Sequence, residues 1–526
     1  MKKYYLKNKT KVNLIIFSFI IAFISLLICS KNSPLYPFNN WVDENAFFTV
    51  GKAWIHGILP YKDLFEQKGP LLYLIFSLSY LISNNTFIGV FILEIISFTY
   101  FLYYCGKIID LFLKREYSYY ILPLLSAVIT SSIYFSYGGS AEEFCLPLLS
   151  YMLYSFLFFL KEKDISNKTL FLNGLCAGMV AMIKYTMLGF WFAFMMFIFL
   201  RFIIDKKYKK AFHSCFYFLL GMFIPIILFC LYFFFNNSLK AFIDTYILFN
   251  ITRYSLEVSL LTRLKLMLFI TIKHMTHNIL ILILLILGNV YIIFTNKIVK
   301  GTFSKVALLA VLFFGLLGTY YGCKDYPYYF LIVSAFSLFG FIYLFNEINI
   351  KHKYITILIV LVSYLAVIKT SHNIYYMKYK KEDLPQYKFA SIINKKKDAT
   401  LLNYGFLDGG FYMASNILPN TKYFQKQNAK MLDAYLILEK EIKDKKYDYI
   451  VVRNYPSRGF KSTYLNKNYK LIKTEYEYIK DYNNILDKMM HSKINNNVGI
   501  KKQEDTIIDN EIFRYNESKY DLYKVR

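Results

Sequence analysis

Apolar residues in this chain come in long runs with few charges, separated by short basic or polar stretches. The runs fall at 12–29, 70–82, 86–106, 119–137, 144–160, 169–183, 187–204, 212–235, 264–294, 304–320, 328–345 and 353–369. A helix of ~20 residues crosses the hydrocarbon core of a bilayer. The pattern therefore predicts a polytopic, all-helical membrane domain. The first run follows a lysine-rich start and reads as a retained span, because it lacks a small-residue cleavage site.

The basic clusters set a parity. The N-terminal lysines, Lys114-Arg115, Lys161–Lys168, Lys206–Lys210, Lys297–Lys305 and Lys351–Lys353 are expected on the cytoplasmic side. The loops at 138–143, 184–186, 236–263 and 321–327, and everything beyond 370, then lie outside. The stretch 70–106 must cross an odd number of times although it holds two runs. The expectation is that 70–82 dips or lies half-buried, or that a boundary in this stretch falls elsewhere, leaving about 11 transmembrane helices.

Two stretches break the pattern. Residues 30–67 are polar and aromatic-rich, and Ala46, Phe47, Val50 and Trp54 within them recur at helical spacing, which predicts an amphipathic helix on the membrane surface. After residue 370 no run is long enough to span. TLLNYGFLDGGFYMAS reads as strand, glycine turn and helix, YDYIVVRNY as a strand preceded by the helix AYLILEKEIKDKK, and KYDLYKV as a last strand. Residues 491–510 are polar and read as a loop. The expected division is a membrane domain, 1–370, and a small extracytoplasmic α/β domain, 371–526.

Composition agrees. Of 526 residues, 56% are hydrophobic, 20% aromatic and 18% charged. Soluble domains hold about 45–50% apolar and about 25% charged residues, so an ordinary soluble enzyme and a disordered chain are excluded. The net charge of +27 brings no nucleic-acid recognition motif with it. Much of it sits beside the apolar runs, where it orients them. The seven cysteines form no CxxC pair and read as small buried hydrophobes.

Charged groups beside membrane spans are costly and point to function. The parity gathers several at one face: Asp43-Glu44, Asp63, Glu66, Lys68, Glu142-Glu143, Lys184 and Lys324-Asp325 with Tyr326. Carboxylates can take a proton from an incoming hydroxyl, and lysines can hold a phosphate. Plainer roles exist for each. Asp43-Glu44 and Glu142-Glu143 suit helix N-termini, Lys184 can snorkel, and Glu94, inside an apolar run, reads as a structural hydrogen-bonding residue. Lys273, His274 and His277 include a His-x-x-His spacing, a weak metal signal. Carboxylates and a phosphate together can attract a divalent cation, but nothing in the sequence requires one.

The stretch WVDENAFFTVGKAWIHGILPYKDLFEQKGPLLYL resembles the first extracytoplasmic loop of the GT-C glycosyltransferases, above all the bacterial branch related to protein O-mannosyltransferases and aminoarabinose transferases. The matching elements are Asp43-Glu44, Ala46, Ala53, Tyr61 with Asp63, and Glu66-Gln67-Lys68-Gly69-Pro70, where Gly69 stands in place of a proline. GLCAGMVAMIKYT, YPYYFLIV and LLNYGFLDGGFYMASNILPNTKYF are similar to later segments. The resemblance implies a multi-pass cell-membrane enzyme. It would transfer a sugar from a polyprenyl-phosphate donor to a cell-envelope glycan, lipid or protein, with inversion. Asp43 would be the base, Glu44 its orienting partner, and Glu66, Lys68, Glu143, Lys184, Lys324 and Tyr326 substrate contacts. A lipid-linked oligosaccharide flippase and an envelope polysaccharide polymerase are the alternatives. A transporter would keep its charges at the midplane and show internal repeats.

Overall fold

The computed structural model describes residues 2–347, 353–427, 429, 431–454, 462–478 and 517–526. The expected loop 491–510 lies outside the described residues. The chain forms two compact units. One comprises Met1–Tyr36, Lys68–Leu239 and Ser255–Met377, and the other Pro37–Gln67, Lys240–Tyr254 and Lys378–Arg526. The last boundary lies a few residues beyond the expected one at 370. Segments 37–67 and 240–254, which lie within the 1–370 stretch, pack with the C-terminal unit.

The first unit is helical. Its elements begin with α1 (Lys2–Cys29), and α2 (Val42–Ile55) belongs to the other unit. They continue with α3 (Pro70–Ile82), α4 (Ile88–Phe112), α5 (Ser118–Thr130), α6 (Ala141–Glu162), α7 (Asn167–Lys184), α8 (Gly189–Ile204) and α9 (Tyr208–Phe235). After α10 (Leu239–Phe242) come α11 (Leu260–Thr276), α12 (Ile279–Phe294), α13 (Thr302–Tyr320), α14 (Leu331–Ser334), α15 (Ser337–Glu347) and α16 (Lys353–Ile368). Among the described residues, 6 helices are long and apolar enough to cross a membrane, with 167–204 taken as one, and up to 8 if α11–α12 and 327–347 each form one bent span. The protein is a multi-pass membrane protein.

Packing resolves two ambiguities of topology. The first is 167–204. Gly174 faces the Phe218 carbonyl and Gly178 the Met222 carbonyl, so α7 and α9 run parallel. Phe194 meets Phe218 and Phe199 meets Phe212, so α8 and α9 run antiparallel. Therefore α7 and α8 run in opposite directions, and the 3-10 turn Tyr185–Leu188 is the tip of a hairpin. Lys184, with φ −157 and ψ 88, makes the corner. Among the described residues, 167–204 is thus two antiparallel helices and not one long span. The close α7–α9 seam uses small residues because no hydrophobic force draws helices together in lipid, and backbone approach must do so.

The second ambiguity is 70–106. The Gly69 amide donates to the Ile183 carbonyl at 3.1 Å, so α3 begins at the Lys184 end of the bundle. Gly89, in the first turn of α4, packs on Ser79 of α3, and Glu94 meets Ser30 just past the end of α1. Both ends of α3 thus lie at one end of the bundle, and 70–106 crosses once, through α4.

The second unit holds α2, the π-helix Ile243–Tyr254, α17 (Pro385–Ile393), α18 (Phe411–Ala414), α19 (Leu432–Lys443), α20 (Leu465–Asn468) and one four-stranded sheet. Strands β1 (Leu401–Tyr404), β2 (Tyr449–Asn454), β3 (Tyr469–Tyr478) and β4 (Glu517–Val525) stand in the order β1-β2-β4-β3, with β1–β2 parallel and the other pairs antiparallel. Leu438 and Ile442 of α19 pack with Leu402, Tyr404, Ile450 and Val452 of the sheet. Strand β3, KLIKTEYEY, alternates charge with apolar residues and was not foreseen, because an edge strand with one solvated face carries a weak signal.

Candidate active site

In the second unit, α2 carries Asp43 and Glu44 in its first turn. Residues 44–53 are buried on every side, so the expected surface-lying amphipathic helix is instead a core helix. The driving contacts are polar as well as apolar. Thr49 donates to Asp408 at 2.7 Å, and the Lys52 ammonium donates to Asn416 at 2.7 Å. Burial lifts the Asp408 carboxyl to about 6, against the lowering effect of the Thr49 and Gly410 donors. Burial also lowers Lys52 to about 8. Glu44 is fully buried and accepts from the Asn39 side-chain amide, while Asp43 is half-buried beside it. Glu66 is buried near Tyr61 in the same unit.

In the first unit a second group gathers at one end of the bundle. Gly69 makes it possible. A Cβ there would stand 2.1 Å from the Met182 carbonyl oxygen, so any side chain, proline included, would push the two segments apart. With glycine, Lys68 on one segment and Lys184 on the other come near enough for their ammonium groups to repel. Lys184 is buried and ion-paired with Glu142, and its Nζ stands 3.2 Å from the centre of the Tyr329 ring and 5.9 Å from Tyr328. Tyr326 packs on both rings, at 5.5 Å from Tyr329 and 5.4 Å from Tyr328. Lys324 is half-buried in the same loop.

Glu143, the acid expected to contact substrate, turns away from Lys184. It accepts from the Gly139 amide at 2.9 Å. Adjacent helical residues point about 100° apart, so two neighbouring acids at a helix start face different partners. Spacing alone does not say which of them meets the lysine. It is Glu142.

Beside this cluster lies a second that sequence reasoning largely missed. Asp325 accepts from Lys273 at 2.7 Å and pairs with His274 Nε2 at 2.8 Å, while His274 Nδ1 meets the Tyr320 hydroxyl at 2.8 Å. Burial alone would raise the Asp325 carboxyl, but His274 and Lys273 hold it well below the usual carboxylate range. Both ring nitrogens of His274 are taken by hydrogen bonds, and its ring packs on that of His277 at 5.4 Å. No group of three or more metal-ligating side chains occurs among the described residues. One tertiary approach brings these groups together: α8 packs antiparallel to α13 (Phe190 on Gly315, Phe197 on Phe303), which sets Tyr320 near the Lys184 turn.

No known family model matches the sequence, and no curated protein matches it. Solved structures do. The aminoarabinose transferase ArnT from Cupriavidus metallidurans, bound to undecaprenyl phosphate, aligns with a TM-score of 0.56 at 9% identity over 85% of this chain and 93% of that one. Its apo state aligns at 0.51, with 9% identity over 86% and 94%. The apo Archaeoglobus fulgidus oligosaccharyltransferase aligns at 0.50, with 11% identity over 97% and 88%. The chain has the GT-C fold. The fold here comprises a bundle of apolar helices and a unit built from the first loop, the 240–254 segment and the C-terminal α/β region. At such low identity the likeness carries the architecture and not the chemistry.

Proposed function

We propose that this GT-C protein transfers a sugar from a polyprenyl-phosphate-linked donor to a cell-envelope acceptor at the outer face of the membrane. The observation that carries this reading is the pairing of two ammonium groups, Lys68 and Lys184, across the Gly69–Ile183 contact, in a fold shared with an enzyme whose structure holds undecaprenyl phosphate. Two close ammonium groups on different segments suit the oxygens of one phosphate. They supply the countercharge that a divalent cation supplies at other phosphate sites.

Asp43 takes the acceptor hydroxyl's proton as the oxygen attacks the anomeric carbon. The bond to the lipid phosphate breaks on the opposite face, which inverts the centre, and the phosphate leaves as an anion held by Lys68 and Lys184. Because the phosphate is a good leaving group, one carboxylate suffices where a glycosidase uses two. Glu44, locked to Asn39, orients the start of α2. Tyr326 and Lys324 line the donor's path, and Glu66 serves the acceptor.

Transfer by purified protein in liposomes containing an undecaprenyl-phosphate sugar tests the reading. Asp43→Asn keeps shape and loses basicity, and the expected loss is about 10²–10⁴-fold in turnover with donor binding retained. Near wild-type turnover would remove Asp43 as the base. Orientation is tested separately. A cysteine at the exposed Ser391 should label with an impermeant reagent in intact cells, and labelling only after lysis would invert the topology.

A further inference from the structure

The mechanism leaves Glu94 unused, yet it is fully buried inside the bundle. Ser30 donates to both of its oxygens, at 2.9 and 3.1 Å, and the Gly139 amide donates to Oε1 at 2.6 Å. The same Gly139 amide also reaches Glu143 Oε2 at 2.9 Å. One N–H is therefore shared by two carboxyl groups. Two carboxylates this close in a buried site cannot both ionise, and one proton held between them is the ordinary resolution.

The pair sits at a turn that has no slack. Gly138 has φ +95, and a Cβ there would stand 2.3 Å from the Ser30 hydroxyl and 2.5 Å from Glu94 Oε1. The turn leads directly into α6, whose cap is Ser140, accepting from the Glu143 amide at 3.0 Å. Glu142, the next residue back, is the partner of Lys184. The charged groups around the pair are Lys31, whose ammonium rests on the Tyr137 and Tyr376 rings at 4.2 and 4.0 Å, and the Glu142–Lys184 pair itself.

We infer that Glu94, sharing one proton with Glu143, is a positioning residue that clamps the Gly138–Gly139 turn and so sets Glu142 against Lys184. The inference rests on the donor-site reading only for its kinetic consequence; the clamp itself is tested without it. Glutamine keeps an acceptor for Gly139 and Ser30 and supplies the donor that the shared proton supplied. Alanine keeps neither.

Three measurements on the full chain in detergent decide it. In infrared difference spectra, the carbonyl stretch of a protonated carboxylic acid should be present in wild type and lost in Glu94→Gln. Its absence from wild type would overturn the shared proton. Acylation of Lys184 by an amine reagent, followed by peptide mass spectrometry, should be about tenfold faster in Glu94→Ala and within about twofold of wild type in Glu94→Gln, if a charge-assisted contact is lost in one and kept in the other. Equal rates in all three proteins would overturn the positioning role. Binding of undecaprenyl phosphate should weaken by about tenfold in Glu94→Ala and be restored in Glu94→Gln. If wild type fails to bind undecaprenyl phosphate, the donor reading falls, while the spectra and the labelling still decide the clamp.

Discussion

Two ionic clusters stand near one another in the bundle, and they are differently built. In the first, Lys184 pairs with Glu142, a second lysine, Lys68, lies close by, and the facing groups are tyrosine rings. In the second, Lys273 and Asp325 neutralise each other, and His274 and Tyr320 complete the hydrogen bonds. A cluster complete in itself holds helices together and gains nothing from a ligand. A cluster that presents two ammonium groups beside aromatic rings is suited to hold an anion. Asp408 in the second unit is a third case, a buried carboxylate held by neutral donors alone: Thr49 and the Gly410 amide.

The largest effect is expected from breaking the balanced cluster. Asp325→Asn leaves Lys273 buried without its counter-ion, and removing one partner of such a pair costs about 3–5 kcal/mol. The measurement is thermal unfolding in detergent. An unchanged melting temperature would mean that the cluster is not structural. The pH dependence has a definite sign. A carboxyl depressed in the folded state stabilises above its unfolded pKa of ~3.9 and loses that contribution as pH falls through the folded value. Wild type should therefore lose stability in acid below about pH 4, and Asp325→Asn should lose less.

Lys184→Ala breaks the two-lysine cluster and should act on binding more than on stability. The expected loss is about ten- to hundredfold in affinity for undecaprenyl phosphate, from one charge-assisted contact of roughly 1.5–3 kcal/mol, with little change in turnover at saturating donor. An unaltered affinity would reduce Lys184 to a structural partner of Glu142.

The smallest effect sharpens the third case. Asp408 is raised to about 6, so its folded state prefers the protonated form. Stability falls as pH rises from ~3.9 through about 6 and is level above that, a change of about 1 kcal/mol between pH 5 and pH 7. The melting temperature should thus be slightly higher at pH 5, and Asp408→Asn should abolish that difference. A difference retained in the variant would assign it to another group.

The comparison also shows where reading the chain in one dimension stops. Apolar run length set the polytopic helical class, because hydrocarbon thickness acts locally along the chain. The strand–turn–helix pattern after residue 400 was legible for the same reason, and β1, β2, β4 and α19 lie where it indicated. Lys68 and Lys184 stood out as charges beside spans. Their partners did not, since helical phase at Glu142 and Glu143 depends on what each face meets.

By itself, then, the sequence determined which segments enter the membrane and which residue types are too costly there to be incidental. Tertiary structure alone decided that α3 does not cross, that α2 is a core helix of the C-terminal unit, and which acid meets Lys184. Those outcomes depend on close approaches between residues far apart in the chain, such as Gly69 against Met182, Gly138 against Glu94 and Thr49 against Asp408. A contact of that kind is worth its energy only when both backbones are already in place, and nothing local in either segment encodes the other's position.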